Sequence, residues 1–116
     1  MRLVVTGGRD YTDMARIFAA LDELHARRPI SVLIEGEASG LDKRAAHWAF
    51  RRGVTVDKYP ADWDNLGKSA GSIRNQWMID DGKPDYGLVF PGGTGTADMR
   101  RRLADAGIPF EEVSRA

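Results

Sequence analysis

The sequence predicts an α/β fold built on a small, doubly wound parallel sheet with helices on both faces. Short apolar runs typical of strands alternate with helical patterns along all 116 residues, and such alternation is typical of parallel sheets. The strand segments are apolar at nearly every position, as expected for strands that helices cover on both sides. Right-handed crossovers then favour a strand order of about 3-2-1-4-5.

The first half of the chain is predicted to hold three strands and two helices. The run RLVVT at 2–6 is apolar and β-branched and ends at a glycine pair, which indicates a buried strand. Thr12 or Asp13 is suited to cap the first helix, whose apolar residues recur at helical spacing until Pro29 closes the segment. The remaining elements of this half are a strand at 31–35, a helix at 41–52 with Phe50 among its residues available for packing, and a strand at 54–59.

The second half continues the alternation after an irregular segment. The polar stretch at 60–70 has no helical or strand pattern, and long loops inside compact domains are often functional. The elements that follow are a helix at about 70–81, a strand at 86–90, a helix from Thr96 that Gly107 ends, and a strand at 108–113. In the first of these helices, Trp77 and Met78 are expected to pack in the core.

The charge balance and the residue content exclude several kinds of protein. With 17 basic and 17 acidic residues the formal net charge is zero, which argues against a bulk electrostatic grip on nucleic acid or on an anionic membrane. The chain has no cysteine, hence no disulfide and no thiolate metal site, and no apolar run approaches the ~18 residues of a membrane span. We therefore expect one cytoplasmic domain over residues 1–116, with no metal, cofactor, nucleic acid or membrane as partner.

Two glycine-rich loops predict where a ligand binds. In an open doubly wound sheet, ligands lie beyond the carboxyl ends of the strands where the strand order reverses, which here is between the first and fourth strands. The loops at those ends are TGGRDY at 6–11 and PGGTGT at 91–96, and GEASG at 36–40 follows the neighbouring strand. Glycine allows close approach of the backbone, and free N–H groups at a helix start bind phosphate. PGGTGT therefore predicts an anion cradle, although each loop alone also suits a plain tight turn.

Four segments resemble the SLOG superfamily and together cover nearly the whole chain. They are TGGRDY, GEASGLD at 36–42, the PADWxxxGKxAGxxRNxxM run at 60–78 and PGGTGTADM at 91–99. Within the superfamily the chain resembles the YspA/cpYpsA-related family of small bacterial and phage proteins, and it is more distantly similar to phosphoribohydrolases of the Lonely Guy type. The resemblance implies a Rossmann-like fold, a nucleotide or nucleotide-derived ligand, and a homodimer paired through helices.

The resemblance leaves the question of catalysis open. Enzymes of the Lonely Guy type carry PGGxGTxxE, in which the loop holds phosphate, and the glutamate and an arginine serve cleavage of an N-glycosidic bond. Here PGGTGT matches fully, but Met99 stands at the glutamate position, and Asp98 lies one residue earlier, about 100° around the helix. Arg74 resembles the arginine, and Asp10 is a further acid beside the first glycine pair. The candidate catalytic residues are Arg74, Asp98 and Asp10.

Three functions remain as hypotheses for this chain. The first is a sensor or sequestering module that binds a nucleotide, which is favoured because Met99 stands at the position of the motif's glutamate. The second is a nucleotide N-glycosidase in which Asp98 or Asp10 stabilises developing positive charge beside Arg74. The third, a DNA-processing factor, would need a basic or aromatic strip to hold single strands. The candidate ligand-binding residues are Gly7, Gly8, Arg9, Gly36, Asp42, Asn75, Gly92, Gly93, Thr94, Gly95 and Thr96, of which Asp42 equally suits a capping role at the second helix.

Overall fold

Over the residues that the structure describes, the sheet has five parallel strands in the order β3-β2-β1-β4-β5. A computed structural model describes residues 1–115, so that Ala116, the last residue of the expected domain, lies outside the described residues. The strands are β1 (Arg2–Thr6), β2 (Val32–Glu35), β3 (Thr55–Lys58), β4 (Tyr86–Val89) and β5 (Phe110–Glu112). The fold class and the strand order predicted from the sequence are confirmed.

In the described part of the chain, five α-helices connect the strands and cover both faces of the sheet. They are α1 (Met14–Arg27), α2 (Leu41–Arg52), the short α3 (Trp63–Leu66), α4 (Ala70–Asp80) and α5 (Thr94–Asp105). Asp13 begins α1, because its side chain accepts a hydrogen bond from the Arg16 backbone N–H at 3.1 Å. Within residues 1–115, no helix is both long and apolar enough to cross a bilayer.

The core is divided by the sheet into two clusters, as the alternation of side chains along a strand requires. On β1, Leu3 and Val5 pack against α1 and α2, whereas Val4 packs against α4 and α5. The first cluster also contains the fully buried Trp48, whose indole N–H donates to the Asp22 carboxylate at 2.8 Å. Each large apolar side chain buried in this way contributes roughly 1.5–3 kcal/mol, so the two clusters fix helices on both faces.

Two core predictions are wrong. Phe50 is 79% exposed and Trp77 is 47% exposed. On α2 the buried residues nearest to Phe50 are Ala45, Trp48 and Ala49, and the step of one residue from Ala49 to Phe50 turns the side chain by about 100° towards solvent. On α4 the inward face is polar as well as apolar, because it carries part of the site described below, and Trp77 lies on the opposite side.

The segment at 60–70 is more regular than expected. Asp62 caps α3 by accepting from the Asn65 backbone N–H at 3.3 Å, and a 3-10 turn at Gly67–Ser69 leads into α4. The sequence indicates this turn by an aspartate three residues before an asparagine. That pattern is short-range, so a search for apolar periodicity does not detect it. Similarly, α5 begins at Thr94 and not at Thr96, so that part of PGGTGT is itself helical.

Candidate functional site

A cleft of about 730 Å³ opens at the carboxyl ends of β1 and β4, where the strand order reverses. Its volume lies in the usual range for small-molecule sites. Most of the predicted site residues line it, namely Gly7, Gly8, Arg9, Asp10, Asp42, Arg74, Asn75, Gly93, Thr94, Gly95, Thr96 and Asp98. The two that do not are Gly36, which lines a smaller neighbouring cleft, and Gly92.

The two glycine loops contact each other directly. The Gly8 backbone N–H donates to the Pro91 carbonyl at 2.9 Å, and the Gly8 carbonyl accepts from the Leu41 N–H at 3.2 Å. A Cβ at Gly92 would lie 2.1 Å from the Thr96 hydroxyl oxygen and 2.8 Å from the Gly8 nitrogen. Glycine is therefore required at position 92 so that the loops can pack, which is the role of a plain tight turn. Gly93 and Gly95, in contrast, face open space and are accessible to a ligand.

The start of α5 offers unpaired backbone donors to the cleft. Its N-cap residue, Gly93, supplies no side-chain cap, and the first intrahelical bond joins the Ala97 N–H to the Gly93 carbonyl at 3.0 Å. The N–H groups ahead of Ala97 have no partner within the helix, and they carry the positive end of the helix dipole. This geometry suits a phosphate or another anion.

Arg74 is a buried cation that lines the same cleft as this helix start. It is 9% exposed, and its Nη1 donates to the Gly36 carbonyl at 2.5 Å while its Nε donates to Asn75 Oδ1 at 3.1 Å. Burial lowers the pKa of Arg74, and the nearby Asp42 opposes that shift. Among residues 1–115, no carboxylate lies within salt-bridge distance of its guanidinium. A cation held in this way has charge left to offer to an anion in the cleft.

The Asp98 carboxylate is already engaged on all sides. It accepts from Asn75 Nδ2 at 3.0 Å, from Arg102 Nε at 2.9 Å and from Arg101 Nη2 at 2.6 Å. Burial acts to raise the pKa of Asp98, but the bonds from Arg102 and Asn75 outweigh it and leave the pKa lowered. Met99 points the other way and is fully buried in the core. Asp98 therefore lines the cleft as an occupied structural group.

Two further acids lie buried under the loop that follows β2. Asp42 does not cap α2, whose N-cap is Gly40; its Oδ2 instead accepts from the Ala38 backbone N–H at 3.2 Å. Burial raises the pKa of Asp42 to about 6. Glu35 is 1% exposed, and burial raises its pKa to about 7. The hydrogen bond that its carboxylate accepts from the Glu37 N–H acts in the opposite direction and lowers the pKa, but burial has the larger effect.

These raised pKa values predict that acid stabilises this part of the fold. Glu35 ordinarily titrates near 4.5, so between 4.5 and about 7 the folded state holds a proton that the unfolded chain releases. The stabilisation is present below about 4.5 and is lost as pH rises towards 7, up to about 3 kcal/mol. Urea unfolding at pH 5.5 and pH 8 should show a smaller change in the Glu35→Gln variant than in the wild type. An equal change in both proteins would contradict the assignment to Glu35.

Several residues that line the cleft were not predicted from the sequence. Thr6, Ala38, Gly71 and Ser72 are small, and their contribution is space for a ligand. Gly71 and Ser72 belong to the KSAGS stretch, whose run of small residues was the available signal. Met78, expected only in the core, also lines it. Lys68 and Trp63 line it as well, and they belong to the segment at 60–70 whose length indicated a functional loop. Within the described part of the chain, no three potential metal ligands come together.

Comparison with known proteins gives a family match and two structural likenesses. Residues 1–65 match the model of the YspA, cpYpsA-related SLOG family. The Gene 61 protein of Mycobacterium phage D29 is 38% identical over 93% of this chain and 92% of its own length.

The structural likenesses concern the fold alone, because sequence identity is low. DNA processing protein A (DprA) from Streptococcus pneumoniae superposes with a TM-score of 0.80 at 15% identity over 99% of this chain. UDP-GlcNAc 2-epimerase from Neisseria meningitidis, solved with UDP-GlcNAc bound, superposes with a TM-score of 0.56 at 17% identity over 97% of this chain. The present chain spans 50% of the first protein's chain and 32% of the second's.

Proposed function

The chain belongs to the YspA, cpYpsA-related SLOG family, and from that premise we propose that it is a binding module for a nucleotide or nucleotide-derived ligand, acting as a sensor or by sequestration. The observation that carries the proposal is that the uncapped start of α5 and the buried, charge-unpaired Arg74 line one cleft. Unpaired backbone donors and a cation directed at the same space together favour a phosphate group. The same proposal takes residues 1–116 as one functional unit.

The polar groups around the cradle suit the rest of a nucleotide. Arg9 and Lys68 line the cleft and add positive charge for the phosphate. Asp10 is exposed and lines the cleft next to Arg9, where a carboxylate can accept hydrogen bonds from ribose hydroxyls. The cleft thus combines donors for an anion with an acceptor for a sugar.

The enzymatic alternative, a nucleotide N-glycosidase, has less support in this geometry. A general acid or base must have a free carboxyl group near the reacting atoms, and the Asp98 oxygens are taken up by Asn75, Arg101 and Arg102. Asp10 is the remaining candidate acid in the cleft, with Arg74 as its electrostatic partner. Release of a free base from any nucleotide would favour the hydrolase over the binding module.

A charge placed at the cradle tests the proposal. In Gly95→Glu the new side chain enters open space, and a carboxylate in the first turn of α5 favours the helix. The same carboxylate would repel a bound phosphate, so affinity for a nucleoside monophosphate should fall on the order of 100-fold relative to Gly95→Gln, a neutral side chain of the same size. Titration calorimetry over a panel of nucleotides, with chromatography for released base, measures both affinity and turnover.

The result that would overturn the proposal is equally specific. If the wild type binds no member of the panel, or if Gly95→Glu and Gly95→Gln bind equally well, the start of α5 does not hold phosphate. A single-stranded oligonucleotide belongs in the same panel because one structural neighbour is a DNA-processing protein. Tight binding of the oligonucleotide, with no mononucleotide bound, would support the DNA-processing alternative instead.

A further inference from the structure

A second, smaller cleft of about 260 Å³ lies beside the first, between the loops that follow β2 and β3. Glu37 lines it from the first of these loops, and Pro60 and Ala61 line it from the second. Its wall towards the larger cleft is formed by the residues that line both spaces, which are Arg9, Ala38, Trp63 and Arg74. Whole-ligand sites usually have about 300–1,000 Å³, so this volume suits one part of a ligand.

The shared wall contains an aromatic ring that is available for stacking. Trp63 is 45% exposed, and the Arg9 guanidinium lies 4.9 Å from the centre of its ring. The cation–π contact holds the indole at the junction of the two clefts. A half-exposed tryptophan fixed in this way presents an apolar surface to a flat group.

Glu37 has a conformation that an ordinary side chain does not favour. Its φ is +58°, in the left-handed region where residues other than glycine are strained. Its backbone N–H donates to the buried Glu35 carboxylate, and its Oε1 lies 3.3 Å from Lys58 Nζ. Among residues 1–115, nothing hydrogen-bonds to its other carboxylate oxygen. A glycine at this position would carry less backbone strain than Glu37 does. The second carboxylate oxygen of Glu37 is left to accept a hydrogen bond from a ligand.

We propose that the smaller cleft receives the base of the nucleotide and that Glu37 is a specificity-determining residue selecting bases with an amino group. The inference rests on the proposed function. A carboxylate only accepts hydrogen bonds, so Glu37 favours a base that presents an N–H donor. It disfavours a base edge that presents a carbonyl oxygen and also a phosphate, because both of these are acceptors. Trp63 supplies the stacking surface for the ring.

The order of the loops along the sheet edge agrees with this orientation. The cradle follows β4, and the smaller cleft lies between β2 and β3, so the two are separated by about two and a half strand spacings, roughly 12 Å. Arg74 and Arg9 lie between them, next to the path from phosphate to base. A nucleotide laid along this edge has its anionic end at α5 and its base beside Glu37.

Pairs of nucleotides in which one base carries an exocyclic amino group and the other lacks it or has a carbonyl group in its place test the inference. The probes are adenosine or guanosine monophosphate against inosine monophosphate, and cytidine against uridine monophosphate, titrated by calorimetry. The wild type should bind at least one amino-bearing nucleotide about 10-fold or more tightly than its amino-free counterpart. Glu37→Gln should lose that preference, because an amide pairs with either edge, and Glu37→Gly should lose it while relieving the backbone strain.

Lys83→Gly is the matched control. Lys83 also has a positive φ, +48°, and it lines neither cleft, so this variant should gain stability and keep the preference. If nucleotides bind without any amino preference, or if Glu37→Gln keeps the preference, the inference is overturned while the proposed function stands. If no nucleotide binds to the wild type, both are overturned.

Discussion

The Gly40→Ala variant should be far less stable than the Gly53→Ala variant, although both glycines have nearly the same φ, +75° and +71°. A Cβ at Gly40 would lie 2.3 Å from the Arg9 carbonyl oxygen and 2.4 Å from the Gly8 carbonyl oxygen, whereas a Cβ at Gly53 meets nothing within 4 Å. At Gly53, where ψ is +25°, an alanine would adopt the left-handed helical region at a cost of about 1–2 kcal/mol, whereas Gly40, where ψ is −124°, lies outside that region and an alanine there is more strained. The Gly40 variant must also separate two loops, so we expect an additional loss of about 2–4 kcal/mol.

Urea unfolding of the two variants, with the wild type as reference, measures this difference. The difference between the variants therefore combines the more strained backbone at Gly40 with the close approach of the loops that follow β1 and β2. A separation of less than about 1 kcal/mol would mean that these loops do not interlock as described. The preferential destabilisation of the site loops should also appear as lost nucleotide binding in Gly40→Ala alone.

Replacement of Arg74 should have the largest effect on binding. The Arg74→Met variant keeps an unbranched, apolar side chain in place of the aliphatic stem but removes the donor to the Gly36 carbonyl and the cation in the cleft. Truncating one partner of a buried, hydrogen-bonded charge contact costs about 2–5 kcal/mol, so affinity for a nucleoside monophosphate should fall on the order of 100-fold or more. Arg74→Lys should restore only part of it, because an ammonium does not reproduce the planar fork that bonds both Gly36 and Asn75.

Arg100→Met is the matched control for net charge. Arg100 is on α5, its side chain is 41% exposed, and its ion-pair partner is Glu112 at 3.1 Å, so its loss should leave nucleotide affinity within about 3-fold of wild type. Calorimetric titration of the variants with one mononucleotide makes the comparison. Equal losses in Arg74→Met and Arg100→Met would assign the effect to overall charge and not to the cleft.

The fold could be predicted from the sequence because its determinants are local and periodic. Apolar β-branched runs such as Val32–Glu35 alternate with helical patterns, and this alternation leaves few topologies for a chain of this size. The position of the site followed from the same topology, since the carboxyl ends of β1 and β4 must meet where the strand order reverses. Gly7 to Asp10 and Gly93 to Thr96 accordingly line one cleft.

The roles of individual side chains could not be predicted in the same way, because they depend on partners from distant elements. Nothing local to PGGTGTADM indicates that Asn75, 23 residues away, donates to the Asp98 carboxylate. Similarly, Gly92 looks like part of the cradle in the sequence, but the Thr96 side chain and the Gly8 nitrogen from the loop after β1 leave no room for a Cβ there. The smaller cleft was missed for the same reason, since it is formed by two loops that the sequence separates.

The most direct test of the nucleotide site is an amide NMR titration of the ¹⁵N-labelled wild type with a nucleoside monophosphate. We predict saturable shifts of the backbone N–H signals of Gly93, Thr94 and Gly95 at the start of α5, together with Gly8 and Arg9. The matching nucleoside, which lacks the phosphate, should leave the α5 signals unchanged at the same concentration. Saturable binding that leaves the signals of Gly93 to Gly95 unmoved would contradict the assignment of the phosphate to this loop.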